Sequence, residues 1–579
     1  MRKLLLPLTL ILFLNLKAQN SQIDKRFETF KVRMLDAYWK LYPDYSIVFG
    51  YGKYYEKPAI PSETNIKSNA SFFRQWMDSL HSLPFNKLNT NNKISYNIIE
   101  NQLKLRVWEI QILKIYQWDP SRYNIGRQCN ALYTQSYALL DEKLRTLSKF
   151  LQHADNYYKA AFKTLYQPTK EHTLLAISQN DGALSVFGKA LSDSINTSHL
   201  SASEKDTLQQ RIKLATIAIK EYIAALKSIA ADRNYPFRNF RIGEALFNQK
   251  FQLEMVTSYT GKDIFNKAIA AKKKYHKEML TLANQLWPKY CIGIAKPSDS
   301  LQLIKTVIDK ISLSHVAPAN VFDTLNKQLQ AMKEFIIKKN LFDFDTTAPI
   351  VVRKMPAFAS GVAMASANFP LPYQKVSTAY YNIVDISSMP PEKAESMLRE
   401  NNDYILQILT IHEGVPGHCL QGIYNSKSPD IIKSVFRNGP MSEGWAVYSE
   451  RMMLENGWGN NSPEMWLMYY KWSLRIACNV IIDYGIHCMN YNKEDVIKLL
   501  RDEAFQEETQ LEEKYQRATV SQVQLCYYFT GATEILALRE DYKKKMGAKY
   551  KLKDFHERFL SYGTAPVKFI RELMLTKEL

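Results

Sequence analysis

Cysteine is scarce in this chain, with six residues in 579 and no C-x-x-C pair among them. This scarcity argues against a disulfide scaffold and against a zinc site made of thiolates. Proline and glycine are also sparse, at 22 and 20 residues, and they gather in short connectors. Long stretches without these two residues favour helices, because both destabilise a helix interior.

Long apolar runs are missing as well. Beyond the N-terminal segment no stretch reaches eighteen apolar residues, so we expect no stable membrane insertion of the mature chain. The segment itself has a basic start, the apolar run Leu4 to Leu16 and a small residue at Ala18. We therefore expect residues 1–18 to be a signal peptide and the protein to be periplasmic or extracellular. No cysteine follows the run, so a lipid anchor is not expected; an uncleaved membrane anchor is the alternative.

The net charge of +19 is spread along the chain, with local basic runs only at 272–277 and 543–553. A nucleic-acid-binding protein concentrates its basic residues on one face, and no such module is found. We therefore expect no nucleic-acid partner and interpret the charges as solvated helix faces. Attraction of acidic substrates or of an anionic envelope surface stays open. The oligomeric state cannot be read from the sequence.

Most of the chain has the apolar periodicity of long helices. Ser201 and Glu204 form a capping box, and apolar residues follow it at helical spacing through Leu226. Further segments with helical periodicity are 25–41, 90–117, 131–166, 262–287, 302–313 and 320–338.

The composition changes near residue 340. Short β-favouring stretches occur at Ile350 to Arg353, Phe358 to Met364 and Ser377 to Asp385, and helix is predicted from about Glu392 directly into His412. We expect the strand before this helix to pair with an extended substrate, with Tyr380, Tyr381 and Asn382 facing that substrate.

These changes predict two regions in the mature chain. Residues 19–339 are expected to be a helical region that walls a cleft. Residues 340–579 are expected to be the catalytic region.

Two histidines, His412 and His418, bracket the sequence Glu-Gly-Val-Pro-Gly. At about 100° per residue, six positions place the second side chain about 240° from the first, so an unbroken helix could not direct both at one metal ion. Pro416 cannot donate to a carbonyl one turn earlier, and Gly414 and Gly417 allow unusual backbone angles. We predict a local bulge that returns His418 to the face of His412.

A third ligand is expected from a later helix. Glu443 and Glu450 are seven residues apart and therefore lie on one side of a helix. We predict Glu443 as the ligand, Glu450 as a partner that orients a histidine, and Gln421 as a second supporting residue. Two imidazoles and one carboxylate favour one Zn²⁺ ion over Mg²⁺ or Ca²⁺, while Mn²⁺ and Co²⁺ stay open.

The segments HEGVPGHCLQ and EGWAVYSE resemble the signature segments of the bacterial family known as domain of unknown function 885. This resemblance covers roughly residues 350–540. It implies a zinc peptidase of the gluzincin type, in which two histidines and a glutamate bind the metal. EGWAVYSE is also similar to the third-ligand helix of gluzincin aminopeptidases, where the leading glutamate is the ligand, and this similarity supports Glu443.

The resemblance also implies a fold. We expect a mostly α, large helical cleft-forming fold with a small β-sheet next to the metal-binding helices. Three further parts of the sequence resemble the family: Arg475, the segment DYGIH at 483–487 and the segment QLCYYFTG at 524–531. The chain departs from the family at residues 522–523, where Gln-Val replaces the usual Pro-Gly, and this puts the local turn in doubt.

A metal held by three ligands keeps a fourth position for water, and Glu413 is placed to accept the proton of that water. Two residues are candidates to stabilise the oxyanion: His487, oriented by Asp483 four residues earlier, and Tyr528. Arg475 is a candidate to bind a substrate carboxylate, as a carboxypeptidase requires; the alternative is a simple ion pair.

The sequence thus predicts an exported zinc metallopeptidase acting on a peptide substrate, with exopeptidase or endopeptidase mode undecided. Two other functions stay open. The same site suits a metal-dependent amidase or esterase on non-peptide substrates. A non-catalytic secreted binding protein with a relic metal site is the alternative outside enzymes.

Overall fold

The computed structural model describes residues 5–343, 345, 348–355, 364–370, 372–373, 378–428 and 430–576. The described chain separates into two compact units. The first takes the described residues of Met1–Arg238, Pro372–Gln374 and Pro429–Phe436. The second takes those of Asn239–Leu371, Lys375–Ser428 and Arg437–Leu579. The predicted division into a helical region and a catalytic region at residue 340 is based on composition and not on contacts, so it stays a prediction.

The first unit is helical. Its helices are α1 (Leu5–Leu41), α2 (Pro43–Phe49), α3 (Glu63–His81), α4 (Thr90–Trp108), α5 (Ile115–Trp118), α6 (Gly126–Thr134), α7 (Leu140–Leu151), α8 (Ala154–Thr164), α9 (Lys170–Ala183), α10 (Lys189–Thr197) and α11 (Ala202–Ala231).

The second unit holds most of the remaining helices, and only α19 among them belongs to the first unit. These helices are α12 (Gly243–Met255), α13 (Gly261–Tyr290), α14 (Ser300–Ile311), α15 (Val321–Lys338), α16 (Pro391–Glu400), α17 (Asp403–Glu413), α18 (His418–Ser426), α19 (Ile431–Val435), α20 (Gly439–Glu455), α21 (Pro463–Met489), α22 (Lys493–Lys498), α23 (Glu508–Val520), α24 (Tyr527–Met546), α25 (Leu552–Ser561) and α26 (Val567–Leu575). The prediction of a mostly α fold is confirmed.

Local sequence signals set several helix ends. The capping box predicted at Ser201 is present at the start of α11, with the Glu204 side chain bonded back to the Ser201 backbone. The prediction of one helix from Glu392 into His412 is wrong, because the chain breaks between α16 and α17. The Asn402 side chain accepts hydrogen bonds from the backbone N–H groups of Tyr404 and Ile405 and so caps α17.

The second unit also contains a small sheet of three strands among the described residues. The strands are β1 (Ile350–Lys354), β2 (Ala365–Asn368) and β3 (Ala379–Ile383), in the spatial order β1-β3-β2. Strand β3 pairs parallel with β1 and antiparallel with β2. The predicted strand over 358–364 lies outside the described residues, apart from Met364. The sheet packs on α17 and α18, so the prediction of a small sheet next to these helices is confirmed.

Helices α20 and α24 approach each other closely through two glycines. A Cβ atom built on Gly531 would lie 1.8 Å from the carbonyl oxygen of Pro440, and one built on Gly444 would lie 2.3 Å from the Gly531 backbone. No larger residue fits at either position unless the helices move apart. This contact fixes the distance between two helices that carry candidate site residues.

No described helix combines the length and the apolarity that a membrane span requires. All six cysteines are free thiols, and five of them are buried.

We expect Gly531→Ala to destabilise the protein by about 1–3 kcal/mol, because the added methyl group overpacks the contact between α20 and α24. Helix propensity alone predicts the opposite sign, since alanine in place of glycine stabilises a helix by up to about 1 kcal/mol. Chemical denaturation measures the free energy of unfolding. The control is Ala537→Gly at an exposed position of α24, which should lose only the propensity difference. A Gly531→Ala variant more stable than the parent would contradict this packing.

Candidate metal centre

The two histidines lie on either side of a break between two helices. Helix α17 ends at Glu413, and α18 begins at His418 after four residues of turn. A cis peptide bond joins Val415 to Pro416. The predicted return of His418 towards His412 is present, but the departure from helix is larger than a local bulge, because the chain leaves the helix completely before the second histidine.

Close backbone contacts hold this turn. The N–H of Gly417 donates to the carbonyl oxygen of Ile411 at 3.0 Å. A Cβ atom on Gly417 would lie 1.9 Å from the carbonyl oxygen of His412, so only glycine fits there. The indole N–H of Trp445, a fully buried residue of α20, donates to the carbonyl oxygen of Pro416 at 2.9 Å. Sequence reasoning missed Trp445, although it lies between the two predicted glutamates of α20.

The break brings three predicted ligands together. Oε2 of Glu443 lies 3.7 Å from Nε2 of His412 and 3.4 Å from Nε2 of His418. One donor atom from each residue falls within 4.8 Å of the other two. The two imidazole rings are nearly perpendicular, with centroids 4.9 Å apart. All three residues belong to the second unit.

These separations suit a tetrahedral metal ion. Zinc holds nitrogen and oxygen donors at about 2.0–2.2 Å, so two donors of one ion lie about 3.3 Å apart. The Glu443 carboxylate is only slightly farther than this from each imidazole. The donor types, two imidazole nitrogens and one carboxylate, also suit zinc. The residues present therefore fit a metal ion of this kind.

Glu450 lies behind His412. Its Oε1 is 2.7 Å from Nδ1 of His412, on the opposite side of the ring from Glu443, and its side chain is completely buried. A carboxylate in this place fixes the tautomer and the orientation of a ligating imidazole. Gln421 contacts neither histidine through its amide: its Oε1 accepts from Ser442 at 3.0 Å and its Nε2 faces the sulfur of Met441. It links α18 to the start of α20.

Glu413 has a buried carboxylate beside the three donors. Among the described residues its Oε2 has no hydrogen-bond partner. Burial raises the pKa of Glu413, and the neighbouring imidazoles of His418 and His412 only partly oppose this rise. A raised pKa suits a general base that must hold a proton transiently near neutral pH.

Burial and close contacts shift the pKa values of the residues in this cluster. Burial raises the pKa of Glu450. Burial also acts to raise the pKa of Glu443, but His418 and His412 outweigh it and lower the value. Burial acts to lower the pKa of His412, but hydrogen bonds to Glu443 and Glu450 raise it well above 6.5. With Glu413, three buried carboxylates and two imidazoles adjoin one another, so the protonation of each depends strongly on that of the others.

The strand residues occupy two different environments. Because side chains alternate along a strand, Tyr380 and Asn382 point to one face of β3 and Tyr381 to the other. Tyr381 is fully buried, Asn382 is buried and bonded to Arg353 at 2.8 Å, and the Arg353 guanidinium lies 3.8 Å from the Tyr380 ring centroid.

The prediction that this strand pairs with the substrate is wrong. Strand β3 is the central strand, so its backbone groups are already bonded to β1 and β2. The described edge strand that contacts α17 and α18 is β2.

His487 lies in an apolar environment within α21. Its ring packs on Phe240 and Phe247, and its Nε2 is 3.3 Å from the carbonyl oxygen of Ala518. Oδ1 of Asp483 lies 3.8 Å from Nε2 of His487. These contacts support a role in packing for His487. Of the two residues predicted to stabilise an oxyanion, only Tyr528 has a ring contact with His412 among the described residues.

Asp483 supports the turn that precedes α24. Its Oδ1 accepts a hydrogen bond from the backbone N–H of Val523 at 3.2 Å, and burial raises its pKa to about 7. Val523 has a φ of 71°, a left-handed conformation that is strained for a β-branched residue. The positive φ falls at the second position of Gln522-Val523, where a glycine would adopt it without strain.

The ring of Tyr528 lies beside the candidate ligand His412. Its ring is stacked on the His412 imidazole at 6.3 Å, and its hydroxyl accepts a hydrogen bond from Nη2 of Arg517 at 3.1 Å. Arg475 lies farther out, 5.4 Å from the Trp472 ring centroid and 3.7 Å from Glu400. Sequence reasoning missed Arg517, because nothing in the local pattern of α23 distinguishes it from a solvated helix residue.

A structure described as "a putative lipoprotein of unknown function from Shewanella oneidensis" is 42% identical, covers 95% of this chain and 100% of its own, and has a TM-score of 0.83. A second, "the putative lipoprotein from Colwellia psychrerythraea", is 15% identical over 95% of this chain and 98% of its own, with a TM-score of 0.78, and it shows the fold alone. No curated protein matches the chain.

The pattern of one protein family matches residues 43–574, which is most of the chain. That family is described as "Bacterial protein of unknown function (DUF885)". The chain therefore belongs to this family of bacterial proteins.

Proposed function

We propose that this protein is an exported zinc-dependent peptidase in which Glu413 is the general base. One observation carries the proposal: the donor atoms of His412, His418 and Glu443 converge within 4.8 Å, and the residue after His412 is a buried glutamate whose Oε2 has no hydrogen-bond partner among the described residues. Each of these features alone is common in buried cores. Together they are the donor set and the proton acceptor that hydrolysis of an amide bond requires.

His412, His418 and Glu443 would hold the ion, and Glu450 would orient His412. When bound, zinc supplies Lewis acidity to the water and to the scissile carbonyl. Glu413 accepts the proton of the attacking water and passes it to the leaving amine. The Tyr528 hydroxyl, held by Arg517, is placed to donate to the oxyanion.

The substrate is proposed to be a peptide. Strand β2 supports this, because it is a described edge strand that contacts the two helices that carry His412 and His418, and an extended peptide can add to such an edge. A cleft walled by the helical region, as gluzincins have, is part of the proposal.

Export to the periplasm or the extracellular space is also proposed. It rests on the signal-like segment at residues 1–18 and on the word lipoprotein in the description of the relative from Shewanella oneidensis.

The first test is metal binding. The purified, chelator-treated chain should bind one zinc ion, measured by calorimetry and by elemental analysis after dialysis. His418→Ala should abolish tight binding, because it removes one of three ligands. Glu450→Gln should weaken binding by about 10- to 100-fold, because it removes the carboxylate that orients His412.

Glu455→Gln is the matched control for Glu450→Gln. Glu455 lies on the same helix but pairs with Arg451 and Arg539, so zinc affinity should not change. Retention of one tightly bound zinc ion in His418→Ala would contradict the proposed ligand set.

The second test is catalytic. Glu413→Gln should retain zinc and lose about 10²- to 10⁴-fold in the rate of peptide cleavage, because the amide cannot accept a proton. The measurement is cleavage of a peptide library followed by mass spectrometry, with matched ester and non-peptide amide panels. Undiminished peptide cleavage by the zinc-loaded variant would show that Glu413 is not the base. Cleavage of the ester or non-peptide panel alone would replace the peptidase by an amidase or esterase.

A further inference from the structure

Three cations form a group near the metal-site residues: two arginines are each separated from His412 by one aromatic side chain, and a lysine lies close enough to interact with both arginines. Arg475 is on α21, and Lys514 and Arg517 are one turn apart on α23; the two helices pack against each other. We call Arg475, Lys514 and Arg517 the cationic cluster. Two aromatic residues connect the cluster to the metal site: Trp472 and Tyr528 each have a ring centroid 6.3 Å from that of His412.

The cationic cluster has few carboxylates within ion-pair distance. The one carboxylate within 4 Å of Arg475 among the described residues is Glu400, at 3.7 Å. Glu400 already forms a buried ion pair with Lys471 at 2.8 Å and accepts the backbone N–H of Glu507. The carboxylate nearest to Arg475 is therefore already paired with another cation, Lys471.

Lys514 is the most unusual member. It is 6% exposed, yet within the described part of the chain it has no ion pair and no hydrogen bond. Burial together with the charges of Arg475 and Arg517 lowers its pKa well below 10.5. Its side chain is mostly buried and its ammonium has no counter-ion within the described residues, so an anion that reached the ammonium would gain an ion pair that the protein does not supply.

The hydrogen bonds of Arg517 go to neutral groups. Its Nη2 donates to Oε1 of Gln524 and to the Tyr528 hydroxyl, each at 3.1 Å. No carboxylate of the described residues lies within ion-pair distance of it. An anion bound among the three side chains would therefore gain charge-assisted hydrogen bonds that the protein itself does not supply.

We propose that the cationic cluster binds the C-terminal carboxylate of the peptide substrate, so that the enzyme removes short pieces from the C-terminus. This proposal rests on the proposed peptidase function. The ring contacts put each guanidinium at most about 12 Å from the His412 ring. An extended peptide spans about 3.3–3.6 Å per residue, so the carboxylate would lie within about three residues of the scissile bond.

The test compares binding of three N-acetylated peptides of one length to the zinc-supplemented full chain carrying Glu413→Gln, which prevents turnover. The first peptide ends in a free carboxylate, and the second is its C-terminal amide. The third is an amide with glutamate as the last residue. The free acid should bind at least about 10-fold more tightly than its amide. Arg475→Gln or Lys514→Met in this background should reduce that ratio to about twofold or less.

Arg501→Gln is the matched control. Arg501 is an exposed cation of the same unit that pairs with Glu508, so the preference for the acid should persist in this variant. A second readout needs no ligand: the thermal midpoint of Lys514→Met should equal or exceed that of the parent, because the variant replaces a mostly buried amine that has no ion pair by an apolar side chain of similar length. A lower midpoint would show that Lys514 is structural and would overturn the proposal.

The remaining outcomes separate the two proposals. Equal binding of acid and amide overturns the subsite, even if the intact chain cleaves peptides. Tight binding of the glutamate amide, equal to that of the acid, shows that the cluster recognises acidic side chains and overturns the C-terminal assignment. A preference for the acid that depends on the cluster supports the subsite even if no peptide is cleaved, and in that case only the peptidase function fails.

Discussion

The site depends on one break in one helix. Two histidines six residues apart cannot share a metal ion on a continuous helix, and the four-residue turn between α17 and α18 removes that obstacle. Gly417 permits the turn because its backbone contacts the His412 carbonyl oxygen too closely for any side chain. Trp445 holds the turn from α20, the helix that also supplies Glu443 and Glu450. The candidate ligands and the residues that support them are thus connected by the same few contacts.

The helices that pack around this turn bury the candidate site. The glycine contact between α20 and α24 sets how near the Tyr528 helix comes to the Glu443 helix. Helix α15 lies on the other side, where Gln328 accepts a hydrogen bond from Thr410 at 2.7 Å. Burial then gives the carboxylates and imidazoles their shifted pKa values, because charged groups removed from water interact strongly with each other.

Sequence reasoning found the site because it depends on short-range features. His412, His418, Pro416 and their glycines lie within seven residues, and the seven-residue spacing of Glu443 and Glu450 is a helical signal. The sequence was less informative where tertiary packing decides. Three features depend on which helices and strands pack together, and no local sequence pattern encodes that packing. They are the break at Asn402, the central position of β3 in its sheet and the burial of Tyr381. Arg517 and Lys514 look like surface residues until α21 is packed against them.

The most direct measurement is a crystal structure of the zinc-soaked chain with anomalous diffraction data at the zinc edge. The account predicts one anomalous peak bonded to Nε2 of His412, Nε2 of His418 and the Glu443 carboxylate, with Glu450 still on Nδ1 of His412. An ion bound by other residues, or no ion and imidazoles turned away from each other, would contradict it.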